Sequence, residues 1–355
     1  MDLYRITSGL LLLLSLAAYA TPFTPQADLP LPLQQALPLT EHMQKLTTLL
    51  ADKPQDDTRL ELVRLYLRGA RKPGFDAWFH RSEQLLHSVT AAGASSVSYH
   101  VLQADLQQQQ HQFSQALHTL SRVFAAAPYH QQASLMAARI HLAQHHTALA
   151  QQACNRLWQQ DLFLFSVCSY EVAGRGGDWA QSYVQLQKLW QRQTLTPELD
   201  IWLRGILAEQ AEQLQLTVAA QQWLTPVLLQ APTSLWLKWA DLSLELGEAQ
   251  QVYQRLAEKQ QQYPLSDGLL LRLALAERQL GDSAYYSTLL TERMDVRLAR
   301  GDTDHAADLA HYFLRLKYDA KAALHWATIN YQTAKEPDDM RLLTLSENAV
   351  KGTRE

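Results

Sequence analysis

The sequence predicts an all-α solenoid of about eight antiparallel helix pairs, stacked along one direction and coiled into a right-handed superhelix. Three observations carry this. Small residues recur 34 positions apart, at Ala104 and Ala138, Ala116 and Ala150, and Ala240 and Ala274. A fixed period of this length marks a helical repeat array. Leu, Ala and Gln dominate the chain, all residues that helices accept. Prolines and Gly-Asp pairs punctuate the periodic stretches, at Pro128, Pro232, Pro264, Gly281-Asp282 and Gly301-Asp302. There they end one helix and cap the next.

Residues 1–20 read as a signal peptide. A short start with Arg5 precedes an apolar run, Ile6 to Ala18, and Ala18-Tyr19-Ala20 offers small residues where a signal peptidase reads. Cleavage is expected before Thr21, although an uncleaved N-terminal anchor would also fit. Residues 21–39 carry Pro22, Pro25, Pro30, Pro32 and Pro38 without helical period, so an extended spacer is expected. Residues 40–352 form the repeat domain. Its first helices carry a large residue and then a small one, and its second helices carry a small residue where the pair crosses. Ala104, Ala116, Leu120 and Pro128 fit this pattern, followed by Ala138 and Ala150. Ala208, Ala220, Leu224 and Pro232 make another unit, and Trp236, Ala240, Gly247 and Pro264 the next. Ala274 and Leu290 follow, then Ala306 and Ala310. Small residues let helices approach closely, and large ones fill the groove beside them. Pro226 falls inside a second helix and should kink it. Gly174 to Asp178 should lengthen one turn, and residues 41–89 fit the period poorly.

These small-residue and proline positions resemble the tetratricopeptide repeat superfamily, over roughly Leu60 to Val350. A departure is Gln107, where that family usually has a tyrosine. A narrower resemblance lies in Leu269 to Gly281, in Arg300-Gly301-Asp302-Thr303 and in Glu336 to Leu343, together with Cys154 and Cys168. These stretches look like a group of exported bacterial tetratricopeptide proteins, often encoded near nickel-handling accessory membrane proteins of the hydrogenase/urease type. The resemblance implies a fold and a location. It implies no activity and carries over no catalytic residue.

The two cysteines flank Asp161 by seven residues on each side. With a turn at Asp161, both would lie about 10 Å down an antiparallel helix pair, so a Cys154–Cys168 disulfide is expected in an oxidising compartment. Nine of the 13 histidines fall between His80 and His146. His141 and His145 are four apart on an expected first helix, the spacing that places two imidazoles on one face for Ni, Zn or Cu. The alternative is a solvated Gln/His-rich helix face. Asp241 and Glu245 form an acidic pair at helical spacing, expected on an exposed face. No phosphate loop, nucleophile elbow or zinc-protease signature occurs.

A formal net charge of -4 with 19% charged residues gives no electrostatic footprint for nucleic acid. The leading expectation is a periplasmic, non-enzymatic scaffold without cofactor, holding a protein or peptide in a concave groove. The alternative is a periplasmic metal-binding accessory factor using His141 and His145.

Overall fold

The computed structural model describes residues 38–281 and 283–352. The signal peptide and almost all of the proline-rich spacer lie outside them. Among the described residues there are 18 α-helices and no strand.

The helices form eight successive pairs, flanked by α1 (Glu41–Asp52) and α18 (Pro337–Gly352). The pairs are α2 (Asp56–Ala70) with α3 (Ala77–His87), α4 (Val97–Gln109) with α5 (Phe113–Ala126), and α6 (Gln131–Ala143) with α7 (Thr147–Asn155). Then come α8 (Leu162–Arg175) with α9 (Trp179–Arg192), and α10 (Pro197–Gln213) with α11 (Thr217–Leu224). Last are α12 (Thr233–Glu245) with α13 (Ala249–Gln262), α14 (Asp267–Leu280) with α15 (Tyr285–Arg300), and α16 (Ala306–Tyr312) with α17 (Ala320–Thr333). Side-chain caps start several of them. Thr40, Ser96, Asp161, Thr196 and Asp319 each accept the backbone N–H three residues on, satisfying a donor the helix leaves free.

Every small residue that set the repeat is buried: Ala104, Ala116, Ala138, Ala150, Ala208, Ala220, Ala240 and Ala274. Trp236 fills the groove beside Ala240 and is itself buried. Residues 41–89, poor in the sequence period, hold regular helices, and Ala70, one period before Ala104, is buried like it. Gln107 donates nothing to the core but accepts the Thr119 hydroxyl at 2.8 Å, tying α4 to α5 where an aromatic ring was expected. Ala240→Leu is expected to overpack the helix crossing and cost about 1–3 kcal/mol. Ala219→Leu should cost less, because Ala219 is only half-buried. Urea midpoints of the two variants check this, and equal losses would place Ala240 outside the crossing.

Three local expectations are corrected. Pro226 does not kink a long helix. The helix α11 stops at Leu224, and residues Thr225–Gln230 continue as a tighter 3-10 stretch, which tolerates a proline at its start. Gly174 and Arg175 do not belong to a lengthened turn. They lie in α8, and only Gly176, Gly177 and Asp178 separate α8 from α9. A Cβ at Gly174 would sit 2.6 Å from Gln210 Nε2, so its smallness serves packing against α10. The cysteines face each other but are not equally far from the ends of their helices. Cys154 is the penultimate residue of α7, whereas Cys168 lies in the middle of α8, and residues 156–160 form turns before Asp161 caps α8.

The spiral closes on itself. Thr233, at the start of the sixth pair, donates its N–H and its hydroxyl to the Arg71 carbonyl of the first pair, at 2.6 and 3.0 Å. Phe75 packs against Tyr263, with ring centroids 5.1 Å apart. Gly74 makes this approach possible. Its φ is +84°, and a Cβ there would lie 2.6 Å from the Tyr263 Cβ. The His111 ring, between α4 and α5, lies 5.6 Å from that of His305, before α16. The Lys335 N–H, before α18, donates to the Ala143 carbonyl that ends α6, at 2.7 Å.

Candidate functional site

The first helices of neighbouring pairs are joined by ion pairs spaced about one repeat apart in sequence. Arg71 bonds Asp105, and Arg175 bonds Glu209 at 2.9 Å, both 34 residues apart. Arg272 grips Asp241 at 2.7 Å across 31 residues. Lys238 bonds Glu212 of the preceding first helix. Together these charges line the inner face of the solenoid.

The start of the last helix enters this face. Glu336 accepts from Arg175 at 3.2 Å, and Asp338 pairs with Lys238 at 2.9 Å. Arg341 bonds Glu212 at 2.9 Å and Glu245 at 3.3 Å. The segment Lys335–Arg341 thus spans from the end of α6 to α12. The acidic pair Asp241 and Glu245 is therefore not a free helix face, since Asp241 also bonds Arg315.

Burial sets the protonation of these groups. It pushes Glu209 up to about 7, against the pull of Arg175 and Lys238. It likewise raises Glu171, which faces Arg139 and Arg175, and pushes Asp339 up to about 6. Burial would also raise Asp241, but Arg272 and Arg315 outweigh it and hold that carboxyl well below the usual range. Burial opposes the charges of Arg175 and Lys238, yet their acidic neighbours keep both firmly protonated. His311 is driven down to about 3 by burial and by Arg272, so it is neutral.

These shifts predict a stability optimum. Glu209 and Asp339 keep protons in the folded chain that the unfolded chain releases near 4.5 and 3.8. Their contribution is full at acid pH and is lost as pH rises through about 6 and 7. His311 acts oppositely. Its neutral form is favoured on folding, so that contribution is present above 6.5 and lost as pH falls toward 3. The windows overlap. Between about pH 4 and 6.5 His311 opposes Glu209 and Asp339, and above 6.5 only the loss from Glu209 remains, so the optimum should lie near pH 4 with melting temperature declining on the alkaline side. Glu209→Gln should flatten the alkaline limb, by on the order of 3 kcal/mol at most. An unchanged slope between pH 5 and 8 in that variant would contradict the assignment.

The histidine pair reads differently in the structure. The helix α6 ends at Ala143, and His145 lies beyond it with φ +61°. Its counterpart one repeat earlier, His111, has φ +56°, and Gly247 and Gly281 occupy the same kind of turn. The chain turns left-handed after each first helix, so His145 is not a helical residue one turn on from His141. The nearest imidazole to His141 is that of His146, with ring centroids 6.3 Å apart. Among the described residues, no group of three His, Cys, Asp or Glu is placed to share a metal ion.

Cys154 and Cys168 are a disulfide-capable pair, with Cα atoms 5.7 Å apart. They join the second helix of one unit to the first of the next. The sequence reading missed the inner ion pairs, although the 34-residue spacing of Arg71 with Asp105 and of Arg175 with Glu209 was there to be read. The tryptophans divide as well. Trp236 and Trp239 are core, Trp190 and Trp223 stack edge to face at 5.0 Å, and Trp158 is exposed.

No family model and no curated protein matches the chain. Solved structures do. A tetratricopeptide repeat protein from Parabacteroides merdae is 13% identical, covering 71% of this chain and 91% of that one, with a TM-score of 0.44. The APC/C hetero-tetramer Cut9-Hcn1 is 14% identical, covering 88% of this chain and 61% of that one, with a TM-score of 0.54. At such identities the likeness to the second of these is one of fold alone, an all-α solenoid of antiparallel helix pairs.

Proposed function

We propose that this chain is an exported, non-enzymatic scaffold that holds a protein or peptide partner along the inner face of its first helices. The observation that carries the reading is the contrast between the two halves of that face. In the later pairs the inner charges are matched and covered by Lys335–Arg341. In the earlier pairs Arg139 of α6 faces the buried Glu171 yet remains exposed to solvent. An exposed guanidinium beside packed helices is the kind of group that anchors a partner by hydrogen bonds and charge. Export is supported by the apolar start of the sequence, by the disulfide-capable pair, and by the lack of any free cysteine among the described residues. No helix among the described residues is long and apolar enough to cross a membrane.

A photoreactive amino acid placed at position 139 tests this in the native host. It should capture a defined protein, whereas the same probe at exposed Val184 on the outer helix α9 should not. Capture at 184 and none at 139 would place the partner elsewhere.

A further inference from the structure

We propose that Lys335–Arg341 is a latch, a strap of the terminal unit that seats by charge on the inner face and can lift from it without unpacking its own helix. Its bonds to the inner face are polar. They are the Lys335 N–H to the Ala143 carbonyl, Glu336 to Arg175, Asp338 to Lys238, and Arg341 to Glu212 and Glu245. The apolar packing of α18 points elsewhere. Leu342 is buried against Ala310 of α16 and Ala327 of α17, with Leu343 beside them. The two kinds of contact are thus separated, charge toward the first helices of the fourth to sixth pairs and apolar surface toward the terminal unit.

The strap is also preformed. The Glu336 N–H and the Asn330 side-chain amide both donate to the Asp339 carboxylate, at 2.9 and 2.6 Å. Pro337 occupies the first helical position, where its missing N–H costs nothing. These bonds lie within the terminal unit and persist whether or not the strap is seated. The strap's own carboxylates are half open to water, Glu336 at 43% and Asp338 at 58% exposed, while their partners Arg175 and Lys238 are largely buried. Opening therefore releases two solvated carboxylates and one backbone bond, and the buried cations keep a second partner each, Glu209 for Arg175 and Glu212 for Lys238.

Lifting the strap would bare Arg175, Lys238 and the Ala143 carbonyl next to the already open Arg139. The latch would then set how much of the inner face a partner can reach. That consequence rests on the scaffold reading, whereas the latch itself is testable without any partner.

The test is hydrogen exchange on the full chain, comparing wild type with the double variant Glu336→Gln, Asp338→Asn. The latch predicts at least about tenfold faster exchange in peptides covering 334–341, where the Lys335 amide loses its carbonyl. Residues 342–352 and the helices α16 and α17 should keep their protection. Unchanged exchange at 334–341 would overturn the proposal. So would equal acceleration throughout α16, α17 and α18, because the segment would then be a staple of its unit. Failure here would leave the crosslinking prediction at Arg139 standing, and the reverse also holds.

Discussion

Trp236→Ala is expected to cost about 3–5 kcal/mol, the largest loss from a single side chain. The indole is 1% exposed. It stands edge to face with Trp239 at 6.0 Å, and the Lys259 ammonium lies 4.8 Å above it. It belongs to the core cluster that runs from α8 to α16. Truncation would leave a cavity that rigid neighbouring helices cannot fill, because interiors are close-packed and collapse only in part. A solenoid adds a second penalty, since each unit is stable only through its neighbours. The melting temperature should fall by roughly 10 °C. Trp158→Ala is the control, because that ring is mostly exposed. It should change the melting temperature little. Equal effects would mean that the sixth pair does not pack as described.

The second large effect concerns the cysteines. Cys168→Ala should cost about 3 kcal/mol, the value for removing a constraint on a loop of about 15 residues in the unfolded chain. The link ties α7 to α8, adjacent units otherwise joined by side-chain packing and by the Gln151 amide donating to the Ser169 hydroxyl at 3.0 Å. Reductant should lower the melting temperature of the wild type and leave that of the variant unchanged. Intact-mass analysis of the native protein should show no free thiol. Two freely alkylated thiols would contradict the link.

Much of this fold was legible in the sequence because one steric demand repeats. Each crossing of two helices admits only a small side chain, so Ala104, Ala138, Ala208, Ala240 and Ala274 mark the register directly. The turns were legible only in part. A left-handed residue follows first helices throughout the array, and the period that aligns His145 with His111 also excludes His145 from α6. Asking what occupied the same turn one repeat earlier would have removed the helical His141–His145 pair. The inner ion pairs carried a signal too, because a salt bridge between stacked first helices must recur near the repeat length. The closure of the spiral carried none. It depends on small rotations summed over five or more units, and no local pattern encodes that sum. Gly74 shows the difficulty. Its place against Tyr263 follows only once residues almost 190 positions apart meet, and as a sequence feature it is one glycine in a loop.

That closure brings the first pair onto the sixth. Lys72, after α2, lies close enough to Lys259 of α13 to add to the effect of burial in lowering its ammonium pKa. An amine-reactive crosslinker of short reach, applied to dilute native protein, should therefore join Lys72 to Lys259 within one molecule. The closed spiral predicts this link at a yield similar to that of Lys317 with Lys321, which are neighbours in sequence. Recovery of Lys317–Lys321 without Lys72–Lys259 would show an open solenoid and contradict the account.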